Sequence, residues 1–238
     1  RRFFMKTITP LLQATHKESV KLRGLSDSKR VQLLESIAQK ISENESIILV
    51  ENKKDLDKMD DSNPKKDRLL LTPARIQDLV DGLQSVAHLS DPTGKLISEY
   101  TTDQGLNIQK VTVPLGVVGV IYESRPNVTI DVASLCLRSG NAVVLRGGSD
   151  AEFTNLVLVD LIHQALIDNQ MPTDLVQLLP IDRKFVKEML TADKYVDIII
   201  PRGSQELINF VREHSKVPTI ETGAGVCHTY VESSANLD

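Results

Sequence analysis

Two short apolar runs about a helix-length apart constrain this chain most. Val117–Tyr122 and Ala142–Leu145 are rich in β-branched residues and carry no charge. Strands buried on both faces read this way, and strands joined through a helix lie parallel, because a parallel pair needs a crossover. Between them, Thr129–Arg138 has Ile130, Val132, Ala133, Leu135 and Leu137 near helical spacing, and Gly140-Asn141 ends it. Polar residues gather where each strand stops. Glu123-Ser124-Arg125-Pro126-Asn127 follows the first strand, and Arg146-Gly147-Gly148-Ser149 follows the second. In an open α/β sheet this carboxyl edge is where ligands bind.

The alternation continues downstream. Ala151–Asn169 reads as a helix, Leu175–Leu179 as a strand and Arg183–Leu190 as a helix. Val196–Ile200 reads as a strand, Gln205–His214 as a helix and Pro218–Ile220 as a last strand. Strands alternating with helices predict an α/β fold, a Rossmann-like, doubly wound parallel sheet. N-terminal helices and a β-hairpin arm accompany it. Thr7–Arg23 and Ser26–Ser46 are the first two helices, with Ser26 as a cap, and Ile47–Val50 continues the apolar pattern. Lys53–Lys66 is polar and reads as a connector, and Thr72-Pro73 starts a helix running to about His88. After a turn at Asp91-Pro92-Thr93-Gly94, Lys95–Thr101 and Leu106–Val113 form the hairpin around Gly105. The arm, residues 95–113, either covers a sheet edge or pairs with another subunit.

Composition narrows the function classes. A net charge of −4 over 238 residues gives no nucleic-acid footprint. Two cysteines, Cys136 and Cys227, make no disulfide scaffold. No apolar run approaches the ~18–20 residues of a membrane span, and a cytoplasmic protein is the default expectation. Residues 1–4, Arg-Arg-Phe-Phe before Met5, read as an expression or reading-frame remnant, leaving residues 5–238 as the domain.

Three strand ends carry glycine-rich or polar loops: Arg146–Ser149, Pro201–Ser204 and Glu221–Gly225. One such loop is explained by a turn and a cap. Three on one edge suggest a phosphate-bearing ligand, because glycines admit close backbone approach and helix N-termini favour anions. Arg146 is a candidate phosphate partner through its guanidinium or, alternatively, a surface ion pair. Glu123 and Arg125 bracket Ser124 as a structural pair or as handles for a charged substrate. Asn127 is an oxyanion donor or a helix cap. Cys227-His228 invites a nucleophile reading, but neighbours on a strand face opposite ways, so Cys227 reads better as a small packed residue. Cys136, on an apolar helix, reads as core. The histidines have no metal-ligand spacing, and no metal is expected.

Four segments carry a family resemblance: Val113–Thr129, Leu137–Ser149, Ile200–Ser204 and Glu221–Val231. They resemble the γ-glutamyl phosphate reductases, also called glutamate-5-semialdehyde dehydrogenases, of the aldehyde dehydrogenase superfamily. The resemblance runs from about Met5 to Asp238. It implies NADPH-dependent reduction of L-glutamyl 5-phosphate to L-glutamate 5-semialdehyde with release of phosphate, the second step of proline biosynthesis. It further implies a cysteine thiolate that forms a thioester, a homo-oligomer and coupling to glutamate 5-kinase. Cofactor-binding residues would be Arg146, Gly147, Gly148, Ser149, Gly203, Ser204, Glu221, Gly223 and Gly225. The missing acidic residue in Arg146–Ser149 suits a 2′-phosphate, hence NADPH over NADH. Glu123, Ser124, Arg125 and Asn127 would be the substrate or oxyanion candidates. The nucleophilic cysteine and its catalytic domain are expected beyond Asp238, which makes Cys227 a poor candidate and the 238-residue chain inactive alone. Two rivals are a non-catalytic nucleotide-binding fragment and an NAD-linked aldehyde dehydrogenase of the same superfamily.

Overall fold

The computed structural model describes residues 6–123, 125–221 and 228–236. Four strands form one parallel sheet: β3 (Val117–Tyr122), β4 (Ala142–Arg146), β5 (Val176–Leu178) and β6 (Ile198–Arg202). Their order is β5-β4-β3-β6. The chain leaves β3, steps out through β4 to β5, then returns to the other side of β3 as β6. The turning point of the topology therefore lies between β3 and β6. All six residues of β3 and the first four of β4 are buried, as their unbroken apolar runs require.

Right-handed crossovers fix which face each helix covers. The helices α6 (Pro126–Arg138) and α7 (Glu152–Asp168) join β3 to β4 and β4 to β5, on one face. The return to β6 carries α8 (Arg183–Leu190) to the opposite face, and α9 (Gln205–His214) follows β6. Outside α6 and α7 pack α2 (Asp27–Glu43), α3 (Glu45–Leu56) and α5 (Pro73–Ala87), with the single turn α4 (Lys66–Leu69). The first helix, α1 (Thr9–Arg23), lies against β4, and its first turn is latched to α8. Glu188 Oε1 accepts the Ile8 and Thr9 N–H groups, each at 3.0 Å, and the Thr7 and Thr9 hydroxyls. Burial raises the Glu188 pKa, but these donors more than offset it and hold the carboxyl below its usual value.

Several expectations needed correction. The N-terminal helix expected over Ser26–Ser46 breaks at Asn44, and a separate helix, α3, runs on through Leu56. Residues Lys53–Leu56, read as connector, are therefore helical. The polar residues Asn52 and Asp55 lie three apart on the α3 face that packs inward, and both are 1% exposed. Strand β6 extends to Arg202, two residues beyond the expected end. Pro218–Ile220 contributes only an isolated bridge, Ile199 with Thr219, among the described residues. Helix α6 starts at Pro126 rather than Thr129, with proline in its first turn.

The arm forms as expected. Strands β1 (Leu96–Thr101) and β2 (Asn107–Val111) pair antiparallel as a separate two-stranded sheet. Every residue of β1 is exposed, among them Leu96, Ile97 and Tyr100. No helix among the described residues is long and apolar enough to cross a membrane.

Candidate ligand site at the carboxyl edge of the sheet

The loops after β3 and β6 leave the sheet toward opposite faces and open a crevice between them. On its β6 side, Ser204 caps α9, its hydroxyl accepting the Leu207 N–H at 3.4 Å. On its β3 side, Glu123 reaches across. Its Oε1 accepts the Ser204 N–H at 3.1 Å. A β-carbon on Gly203 would stand 2.8 Å from the Glu123 carboxyl carbon, so glycine is what permits this approach. Glu123, Gly203 and Ser204 are all exposed. The positive end of α9 thus holds an oxygen anion, supplied by the chain itself, in reach of solvent.

The next strand end is built differently. A 3-10 turn, Ser149–Ala151, precedes α7. The first N–H groups of α7 point to Asp55 rather than to the crevice. Phe153 N–H meets Asp55 Oδ1 at 3.2 Å, and the Thr154 N–H and hydroxyl both meet Oδ2 at 2.8 Å. Asn52 adds its amide to the Leu69 carbonyl at 2.9 Å and to the Thr154 hydroxyl at 3.2 Å, and accepts the Leu71 N–H at 2.9 Å. Lys58 lies 3.5 Å from Asp55 and 3.9 Å from the centre of the Phe153 ring. This helix end is sealed from within.

Gly147 owes its identity to the same interior. Tyr122 shares a 2.6 Å hydrogen bond with Thr129, whose hydroxyl donates to Asn155 Oδ1 at 2.7 Å. Thr129 and Asn155 are buried, and burial pushes the Tyr122 phenol up to about 12. A β-carbon on Gly147 would stand 3.1 Å from the Tyr122 oxygen. Gly148 lies in the loop next to it, in extended backbone.

Arg146 lies along the edge, half-buried. It donates to the Gly147 carbonyl at 3.0 Å and to the Ile181 carbonyl at 2.7 Å. Burial and the nearby Arg183 lower its pKa, while Tyr122 opposes them. Its Nε is buried without a partner. A guanidinium held by two carbonyls, with no carboxylate against it among the described residues, keeps its charge for a ligand anion.

The other sequence candidates go elsewhere. Arg125 immediately precedes α6, and Asn127 donates to Asp131 one turn on at 3.2 Å. Both line a separate cleft against α4 and α5. Asp131 is an exposed residue, but neighbouring groups desolvate its carboxyl and raise its pKa, against the opposing Asn127 hydrogen bond. Glu221 is paired with Arg212 of α9, whose Nε lies 2.9 and 3.0 Å from its two oxygens; this bond holds the carboxyl low. Ser124, Gly223, Gly225 and Cys227 lie outside the described residues. Cys136 is buried, and burial pushes its thiol up to about 12, as a packed thiol requires. Sequence reading missed Asn52, Asp55, Thr129 and Asn155. The spacing of Asn52 and Asp55 was a signal, since two short polar residues three apart share a helix face.

The family resemblance implies a nicotinamide cofactor. Two features fit it: an exposed helix end that already holds a carboxylate oxygen, and, two strands along the same edge, an arginine with no acidic partner among the described residues. Comparisons with known proteins agree in kind. The chain is 50% identical over 232 residues to a protein named γ-glutamyl phosphate reductase from Chlorobium phaeobacteroides, covering 98% of this chain and 56% of that one. The crystal structure of γ-glutamyl phosphate reductase from Thermotoga maritima superposes with a TM-score of 0.90 at 36% identity, covering 98% of this chain and 57% of that one. A Rhodopseudomonas palustris propionaldehyde dehydrogenase shares the fold at a TM-score of 0.69 and 19% identity, over 93% of this chain and 48% of that one. The chain spans about half the length of the curated relatives it matches. The description "Aldehyde dehydrogenase family" matches residues 6–238, and the chain belongs to that family.

Proposed function

We propose that this chain is the cofactor-binding part of a γ-glutamyl phosphate reductase. The observation that carries this reading is 50% identity to a named reductase over 98% of the chain. The reaction would reduce L-glutamyl 5-phosphate to L-glutamate 5-semialdehyde, releasing phosphate, in proline biosynthesis. NADPH, when bound, supplies the hydride. The chain's own residues bind and orient. Ser204 and Gly203 would offer the α9 N-terminus to the pyrophosphate, in the position that the Glu123 carboxylate now holds. Arg146 would hold the 2′-phosphate, with Gly147, Gly148 and Ser149 giving backbone access. By the family resemblance, Glu221, Gly223 and Gly225 would serve the nicotinamide end of the cofactor. The thiol that attacks the acyl phosphate belongs to a cysteine other than Cys227, so Cys227→Ser keeps most turnover.

The supplier of an acyl phosphate is a kinase acting on glutamate, which makes coupling to glutamate 5-kinase part of this reading. The exposed hairpin β1–β2 is read as a surface where two copies pair, since an unpaired edge templates another strand. The decisive assay is the reverse reaction of the complete protein. Glutamate 5-semialdehyde should be oxidised only when phosphate is present, readily with NADP and far more slowly with NAD. In the Arg146→Ala variant, NADP should weaken more than NAD, by the ~1.5–3 kcal/mol of a charge-assisted phosphate contact. Equal weakening of both removes Arg146 from cofactor choice, and phosphate-independent turnover removes the reductase assignment.

A further inference from the structure

Three buried side chains meet under the loop that follows β4. Strands β3 and β4 pair with Ile121 beside Arg146, so Tyr122 and Gly147 leave the sheet side by side. On its other flank Tyr122 pairs with Arg202, one residue before the glycine that Glu123 meets. Thr129 and Asn155 come from the helix layer, each the fourth residue of its helix, α6 and α7. Tyr122, Thr129 and Asn155 are all buried. The Thr129 hydroxyl donates to Asn155 Oδ1 at 2.7 Å, which uses its one proton, so in the 2.6 Å contact with Tyr122 the phenol is the donor. The chain of donors runs one way, from Tyr122 through Thr129 to Asn155. It fills the space a side chain at residue 147 would need. A β-carbon there would stand 3.1 Å from the Tyr122 oxygen and closer still to Asn155 Nδ2. The Gly147 carbonyl in turn accepts a hydrogen bond from Arg146 Nη1 at 3.0 Å.

We propose that Thr129 is a positioning residue for cofactor choice: by orienting Tyr122 and Asn155 it fixes the Gly147 carbonyl, and with it the guanidinium that would hold a 2′-phosphate. The assignment rests on the cofactor reading above and deepens it. Apolar side chains in these three places would fill the same interior. Buried polar groups cost desolvation that their hydrogen bonds only offset, so the trio adds little net stability over an apolar core. What it adds is direction. A hydrogen bond sets the angle between its partners, whereas apolar contact lets a ring or an amide turn. Gly147 rests on Tyr122 and Asn155, so a turn of either shifts the loop. A binding group is only as well placed as the side chains that support it. Arg146 also has an anchor outside this chain of bonds, the Ile181 carbonyl at 2.7 Å. Loss of the Thr129 hydroxyl therefore loosens the 2′-phosphate contact without abolishing it. The Gly203–Ser204 turn is set by the backbone register of β3 with β6 and keeps its place. The effect thus falls on NADPH and spares NADH, which lacks the 2′-phosphate.

The test measures NADPH and NADH affinity of the complete protein by fluorescence titration, with thermal unfolding of each variant. Thr129→Val keeps the shape of the side chain and removes the hydroxyl. NADPH should weaken about fivefold relative to NADH, a part of the loss expected of Arg146→Ala. Thr129→Ser keeps the hydroxyl and should keep the ratio, although it gives up a buried methyl group and some stability. A packing role alone would make both variants lose stability and move neither ratio. Tyr122→Phe removes only the phenol oxygen and should move the ratio in the same direction as Thr129→Val; it decides the matter where valine unfolds the protein. An unmoved ratio in Thr129→Val, or in Tyr122→Phe where valine does not fold, beside a clear loss in Arg146→Ala, overturns this assignment alone. An equal fall in Thr129→Val and Thr129→Ser overturns it too. A ratio that Arg146→Ala also leaves unmoved overturns this assignment and the role proposed for Arg146 together.

Discussion

The N-termini of α7 and α9 carry the same sequence signal and are built in opposite ways. Each follows a parallel strand that ends in an arginine, then glycine and a serine. Both need an acceptor for the first N–H groups of a helix. At α7 the acceptor is Asp55, 1% exposed, fixed on α3 and bonded to three donors. At α9 it is Glu123, exposed and bonded to one N–H. The first arrangement ties an N-terminal helix to the sheet layer. The second, an exposed carboxylate with one contact, is the one that the proposed cofactor would replace. A glycine–serine turn after a parallel strand thus marks a helix end in need of an anion. Whether that anion is structural or exchangeable depends on a residue far away in sequence.

The largest effect that separates the two ends is at Asp55. Asp55→Ala leaves the Phe153 and Thr154 N–H groups and the Thr154 hydroxyl buried without their acceptor. Stability should fall by roughly 2–4 kcal/mol, the range for losing buried charge-assisted hydrogen bonds. Denaturant unfolding measures it, and a loss below about 1 kcal/mol would show that α7 is capped by solvent instead. A matched glycine pair gives a smaller contrast. Gly147→Ala drives a β-carbon toward the buried Tyr122–Thr129–Asn155 group and should cost about 1–3 kcal/mol. Gly203→Ala first meets the Glu123 side chain, which can swing into solvent, and should cost under about 1 kcal/mol. Equal costs at 147 and 203 would erase the difference between the two ends.

The sheet was legible because it is written in local pattern. Val117–Tyr122 came out with the boundaries its apolar run predicts, as did α8 and α9. Helix α3 was missed because the chain switches there from an apolar face to buried polar residues, and hydrophobic periodicity is blind to a face held by Asn52 and Asp55. The candidate site was legible only as a set of loops. Glu123 and the Gly203–Ser204 turn meet although 80 residues separate them, a pairing set by the β3–β6 register. Arg125 was grouped with Glu123 by proximity in sequence. The proline that starts α6 turns the chain there, and Arg125 lines the neighbouring cleft instead.

The smallest effect is the most informative about exchange at α9. Glu123→Gln keeps the shape of the side chain and an oxygen that can accept the Ser204 N–H, but removes the charge. Glu123 is exposed and makes one 3.1 Å contact, so stability should change by less than about 0.5 kcal/mol. Cofactor affinity should move the other way from an ordinary binding-site mutation. If a pyrophosphate takes the place of this carboxylate, the wild type must first part a charge from the positive helix end and then hold two anions near each other. The variant is spared both, which at an exposed site amounts to roughly 0.2–1 kcal/mol, or about 1.5–5-fold tighter NADPH binding. Fluorescence titration of the complete protein reads this directly, and the gain should shrink at high salt as the charges are screened. Weaker binding in Glu123→Gln would mean that Glu123 contacts the cofactor or orders its loop. The α9 end would then be a fixed structural cap of the same kind as α7.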